Sequence, residues 1–201
     1  MLRYTPILLL ISSCLSPQEK SIDLLENKSH WSESNYGSNG EISFSNNLLT
    51  LDMGDPISGV TWNKALPKLI NYEIKLDARR MQGNDFFCGL TFPVGKDNLS
   101  LILSGWGGTV TGISSLNNLD ASENITSQTL DFNDKQWYEI RLRVTDESIK
   151  VWIDNKLIIN FDHTQYKLSI RPEVEPSTPL GLATFYTSAQ YRNFYFTKSV
   201  P

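Results

Sequence analysis

The sequence predicts an all-β fold, an antiparallel two-sheet sandwich or jelly roll, and three observations predict it. Apolar and polar residues alternate with period two in several segments, turn residues recur at short intervals, and no segment carries an amphipathic helical pattern. Five Trp, eight Tyr and nine Phe stand among many Thr, Ile and Val, a composition that suits pleated sheet. With 201 residues, 40% of them hydrophobic, the chain is long enough for one domain with a real core.

Taken in order, strands are expected at 42–51 and 58–62, and then at YEIKLDAR, residues 72–79. There Tyr72, Ile74, Leu76 and Ala78 take one face, while Glu73, Lys75, Asp77 and Arg79 take the other. Further strands are expected at 86–92, 98–103 and 109–114. In YEIRLRV, Tyr138, Ile140, Leu142 and Val144 point inward. The turn DES at 146–148 leads into SIKVWID, and DNK at 154–156 leads into LIINF, so three strands form a meander. The last strands fall at 181–186 and 190–197, the latter carrying RNFYF.

Residues 1–13 are set apart from the fold. MLRYTPILLLISSC has a basic Arg3, a short apolar run from Ile7 to Ile11, and two serines before Cys14. The run is too short to span a bilayer, which needs about 20 apolar residues. It resembles a bacterial lipoprotein signal peptide in which Cys14 becomes the lipidated first residue. That implies a membrane-anchored protein of the cell envelope, facing the periplasm or the exterior. Residues 14–40, rich in Ser, Asn, Glu and Lys, read as a flexible tether leading into a domain at 41–198.

Several chemistries are excluded. A net charge of −4 offers no basic footprint for nucleic acid. With two histidines and no Cys/His cluster there is no zinc signature, and no G-x-S-x-G elbow accompanies His163. The glycines sit between strands and precede no helix, so there is no phosphate-binding loop. Cys88, within FFCGLTF, reads as a small buried hydrophobe.

Three segments carry candidate chemistry. In SGWGGTVTGISS, Trp106 stands among Gly105, Gly107, Gly108 and Gly112. Small neighbours leave an indole face open to a sugar ring, and Gly107 and Gly108 permit close ligand approach. The same glycines also suit tight turns at a sandwich end closed by a tryptophan. In DASEN, Asp120, Glu123 and Asn124 either bond sugar hydroxyls, supply oxygens to a hard cation such as calcium, or shape the loop through Asx turns. Glu123 is the stronger site candidate because glutamate is a poor turn former. In SIRPEVEP, Arg171, Glu173 and Glu175 share a face if the segment is extended, and Pro172 and Pro176 confine it to an edge strand or loop. The carboxylates serve either acid–base work or a surface ion pair.

In order along the chain, GNDFFCGLTFPVG, GWGG, DASEN, WYEIRLRV, RPEVE and PLGLAT resemble the 3-keto-disaccharide hydrolase domain family. The resemblance implies a laminin-G/concanavalin A-like jelly roll on exported bacterial proteins that act on carbohydrate. It adds Asp85 to Glu123 and Glu173 as candidate catalytic residues. Trp106, Gly107, Gly108, Asp120, Asn124 and Arg171 are the candidate sugar-binding set. No cofactor is firmly implied. Two functions follow, cleavage of a glycoside or 3-keto-glycoside, and non-catalytic carbohydrate or surface binding; the fold hosts both.

Overall fold

Alternating sequence becomes sheet where one face has a core to meet, and here two such faces meet each other. The computed structural model describes residues 21–198. Its strands are β1 (Ser21–Asp23), β2 (Trp31–Glu33), β3 (Ile42–Ser45), β4 (Leu48–Leu51), β5 (Ile57–Trp62), β6 (Tyr72–Gly83), β7 (Cys88–Val94) and β8 (Asp97–Gly105). There follow β9 (Val110–Ser114), β10 (Gln128–Thr129), β11 (Tyr138–Val144), β12 (Ser148–Ile153), β13 (Lys156–Asp162), β14 (Gly181–Phe185) and β15 (Thr187–Lys198).

All pairings are antiparallel, in two sheets. One runs β13-β12-β11-β6-β15-β4-β3, with β1 also paired to β15; the other runs β10-β9-β8-β7-β14-β5-β2. The core lies between them. Ile74 and Leu76 of β6, Ile140 and Leu142 of β11, and Phe194 and Phe196 of β15 enter from the first sheet. Leu90 and Phe92 of β7, Leu99 and Leu101 of β8, and Leu182 of β14 enter from the second. Each such side chain contributes about 1.5–3 kcal/mol of burial free energy. The fold is the expected two-sheet sandwich, and RNFYF packs into it with Tyr191, Phe194 and Phe196 fully buried. Cys88 is buried in the same core, and burial pushes its thiol pKa well up.

Three expectations are corrected. The fold does not begin at Glu41. From Ser21 onward the expected tether belongs to the sandwich: β1 pairs with β15, β2 with β5, and Leu24, Leu25 and Trp31 are buried. The Trp31 indole N–H donates to the Leu24 carbonyl (2.7 Å). Strands of three residues are too short to show period-two alternation. Residues 1–13 and Cys14 lie outside the described residues.

The span 42–51 is a hairpin, not one strand, because Asn46 and Asn47 both adopt left-handed φ (51° and 56°) and turn the chain between β3 and β4. That pair of positive φ values matches the right-handed twist of two-residue hairpins. Finally, Pro172–Ser177 forms a 3-10 helix rather than an extended edge. Pro172, whose fixed φ and missing N–H are harmless at a helix start, opens it.

Candidate functional site

Most of the outward face of the second sheet is built from small residues. Gly89 and Thr91 of β7, Ser100 of β8, Gly112 and Ser114 of β9, and Gly181 and Ala183 of β14 alternate with the core-facing residues. Small side chains let other segments lie directly on the sheet. A Cβ on Gly181 would stand 2.7 Å from the Ser177 carbonyl oxygen, and one on Gly112 3.0 Å from the Ala121 side chain. The 3-10 segment 172–177 therefore covers β5 and β14, and the 115–127 loop covers β9. The Tyr36 hydroxyl bonds to Ser177, and Thr61 donates to the Pro176 carbonyl (2.6 Å), holding the first cover down.

Between the covers a cleft of about 210 Å³ stays open. Its lining brings together Asp85, Trp106, Arg171 and Glu173, four of the residues singled out in the sequence. Its apolar wall, which sequence reading missed, comes from Ile57, Phe86, Ile102, Val174 and Phe185. These residues look like ordinary core in a one-dimensional pattern. The one available signal was that Ile102 and Phe185 fall out of phase with the core-facing leucines of their strands.

Trp106 is 42% exposed and sits in the β8–β9 turn with left-handed φ (52°). The pairing of β8 with β9 shifts register between Ile102 and Gly105, a bulge that redirects the turn. Within it Ser104 is fully buried at φ 67°; its hydroxyl donates to the Gly108 carbonyl (2.7 Å) and accepts from Arg80 Nη1 (2.9 Å). Gly107 has φ 80° and open space at its Cβ position, so its backbone angle alone calls for glycine there. The indole is thus held at the cleft mouth and does not close the core.

Asp85 supports this turn from below. Its Oδ2 accepts the Gly107 N–H (2.8 Å) and its Oδ1 the Phe86 N–H (2.7 Å), while its own N–H donates to Thr187 Oγ1 (3.1 Å). It lines the cleft and also fixes the Trp106 turn.

Arg171 joins the two covers. One Nη bonds to Asp120 Oδ2 of the 115–127 loop. The other donates to Glu173 Oε1 (2.7 Å), and Nε to Glu173 Oε2 (3.3 Å). The guanidinium fork holds the Glu173 carboxyl below its usual pKa, helped by a backbone hydrogen bond to the same group. In return the pair raises the Arg171 pKa, mainly through Glu173 and further through the charge of Asp120. Glu173 side-chain exposure is 52%, so the pair keeps solvent contact.

The remaining candidates fall elsewhere. Asn124 is buried: its amide donates to the carbonyls of Ile113 (2.8 Å) and Leu119 (3.1 Å), and its oxygen accepts from Thr126 Oγ1 (2.6 Å). It shapes the loop and lies off the cleft wall. Glu123 is exposed and off the cleft wall, although its charge reaches Arg171. Asp120 accepts from Ser115 Oγ (3.2 Å) as well as Arg171. Among the described residues no three His, Cys, Asp or Glu side chains gather as metal ligands. Glu175 is exposed on the 3-10 helix.

A family model described as the 3-keto-alpha-glucoside-1,2-lyase-like domain matches residues 26–197. The chain belongs to that family. The match begins before Glu41 and takes in β2, while β1 lies ahead of it. No curated protein sequence matches the chain. Among solved structures it resembles a carbohydrate-binding module of family 66 from Bacillus subtilis (TM-score 0.59, 12% identity, 84% of this chain and 95% of that one). It also resembles a Bacillus subtilis protein of unknown function with a galectin-like fold (TM-score 0.62, 13% identity, 91% and 99% covered). A third is the Crh5 transglycosylase in complex with NAG (TM-score 0.59, 9% identity, 91% and 84% covered). At these identities the likeness is one of fold, a jelly roll of the kind seen in carbohydrate-related proteins.

Proposed function

We propose that this protein cleaves a glycoside whose sugar carries a 3-keto group, bound over the Trp106 cleft. The observation that supports the reading best is an exposed indole and an arginine–carboxylate pair on the wall of one apolar cleft. A ketone at C3 acidifies the hydrogen on C2. In the proposed step Glu173 takes that proton, and the electron pair moves to the C3 oxygen. Arg171 then transfers its hydrogen bonds from the neutralised Glu173 to this oxyanion, a charge-assisted contact in a partly dry site. When the ketone re-forms, the C1–C2 double bond forms, the C1–O bond breaks, the leaving oxygen takes a proton from water, and the hydroxide left behind takes back the proton held by Glu173. Asp85 and Asp120 are positioning residues, for the Trp106 turn and for Arg171.

The test is to incubate purified protein with a 3-keto-glucoside and with its parent glucoside, and to follow products by NMR. Cleavage of the keto form alone is expected, lost in Glu173→Gln while binding persists. Saturable binding with no product from either compound would replace cleavage with a binding role. One observation favours that second reading: each carboxylate on the cleft is already bonded, Asp85 to two main-chain N–H groups and Glu173 to Arg171.

Export and lipid anchoring through Cys14 complete the proposal, supported by the Ile7–Ile11 run and the serines before the cysteine. Acyl chains contribute about 0.8 kcal/mol per buried methylene, so several together hold a protein on a membrane. The wild type is expected to fractionate with membranes and Cys14→Ser to be released; equal partitioning of the two would refute the anchor.

A further inference from the structure

Two hollows meet at the Arg171–Glu173 pair, and their walls differ in chemistry. On one side lies the cleft, walled by Ile57, Phe86, Ile102, Val174 and Phe185 with Trp106 on its lining. The apolar surface continues outward along Tyr186, half exposed, whose ring meets that of Phe185 at 5.0 Å between centroids. On the other side lies an open basin of about 400 Å³, lined by Ser115, Asn118, Asp120 and Ser169 together with Ile170 and Pro172, a more polar wall than the cleft's. Arg171 and Glu173 line both hollows and form the wall between them.

This division matters for any sugar. A pyranose pressed into the cleft would leave most of its hydroxyls against Ile, Val and Phe side chains, desolvated and unbonded, which costs free energy at each group. An aromatic or aliphatic group in the same place would remove apolar surface from water on both partners. In the basin a sugar fares better, because the Asn118 amide and the Ser169 hydroxyl can both donate to and accept from its hydroxyls.

From this we infer that the ligand is an amphipathic glycoside, its apolar aglycone in the Trp106 cleft and its sugar in the Ser115–Ser169 basin. The glycosidic bond then lies over Arg171 and Glu173. The inference rests on the carbohydrate reading above and narrows it to glycosides with an aromatic or branched aliphatic aglycone. It also explains why the charged pair is flanked by two hollows: C1 and C2 of a sugar seated in the basin lie next to the bond that joins it to the aglycone.

The test uses 4-nitrophenyl glucoside, methyl glucoside and free 4-nitrophenol, titrated calorimetrically against the wild-type protein. A hydroxyl at C3 in place of the ketone leaves the C2 hydrogen unacidified, so these probes bind without elimination. The aryl glucoside should bind about tenfold tighter than the methyl glucoside, and also tighter than nitrophenol. Val174→Thr, close in shape, and Ile102→Thr, one methyl shorter and on a separate element, should each erase most of that advantage and leave methyl glucoside affinity unchanged. Melting curves on both variants confirm that they fold. Asn118→Ala should weaken both glucosides alike and spare nitrophenol. Equal affinity for the two glucosides would overturn the amphipathic assignment and leave the carbohydrate reading standing. Binding of nitrophenol with no gain from an attached sugar, or binding of none of the three, would overturn both.

Discussion

The two sheets solve the problem of their second face in different ways. The first sheet turns its outer face to solvent and covers it with its own charged side chains. Lys75 pairs with Glu139 (2.6 Å), Arg143 with Glu73 (2.8 Å) and Arg192 with Asp77 (3.0 Å). Trp137 lies between Arg79 and Arg192, at 4.4 and 4.2 Å from its ring centre, and Arg141 stacks on Trp152 at 4.1 Å. Cation–π contacts of this kind contribute about 0.5–1 kcal/mol each when exposed. The second sheet instead presents glycine, serine, threonine and alanine outward and is roofed by other parts of the chain. A face whose charged side chains pair largely with one another is not roofed by other segments. A face roofed by loops leaves gaps between them, and the cleft is such a gap. The proposed site lies on the sheet whose small-featured outer surface is roofed by other segments.

The sharpest way to break this comparison is to enlarge a residue under a roof. Gly181→Val should destabilise the fold by about 1–3 kcal/mol, because its Cβ has backbone oxygen of Val60 at 2.6 Å and of Ser177 at 2.7 Å. Denaturant unfolding measures the loss, and an unchanged midpoint would mean that the 172–177 cover is not packed on the sheet. Next in size, Trp106→Ala should weaken glycoside binding by about 1–3 kcal/mol while stability stays within about 0.5 kcal/mol. Both residues occupy the same left-handed backbone, so strain cancels in the comparison. A large fall in melting temperature with intact binding would make the indole part of the core.

A smaller effect concerns pH. Because Arg171 and a backbone hydrogen bond depress the Glu173 pKa, the folded protein binds fewer protons there than the unfolded chain does. The pair therefore adds stability above the unfolded value of about 4.3 and loses it as pH falls through the lower folded value. Ligand binding or turnover that requires ionised Glu173 should accordingly persist below about pH 4.3. Arg171→Gln should move that acid limb upward in a pH profile, and an unmoved limb would separate Glu173 from the site. Smallest of all is Lys75→Ala on the self-covered sheet, expected to cost less than about 0.5 kcal/mol in thermal unfolding. A larger cost would show that the charged face is a stabilising network and not a solvated surface.

The same contrast explains what was legible in the sequence. Strands β6, β11, β12 and β13 could be read residue by residue, since one apolar and one charged face leave a period-two trace. Strands β7, β8 and β9 were legible as apolar runs, but their outward residues gave no sign of being roofed. Of the site, Trp106 and Arg171 drew notice by residue type and local context, and Asp85 by family resemblance. Glu173 reached the cleft by a route other than the expected one, through a 3-10 helix and a guanidinium fork and not through strand periodicity. Asn124 and Glu123 looked alike in one polar loop, yet one is buried against Ile113 and the other faces solvent. A loop has no period, so nothing in its sequence states which residue turns inward.

What the sequence by itself determined was the sandwich, because alternation, turn chemistry and aromatic content are local quantities and a half-buried strand must obey them. The tertiary structure alone decided where the domain begins, which carboxylates share a cleft, and that the cleft wall is apolar. Those outcomes depend on contacts between segments far apart in the chain. Residues 85, 106 and 171 meet only once β6–β7, β8–β9 and the 172–177 cover have been laid over the same small-residue face, and no local pattern encodes that distance.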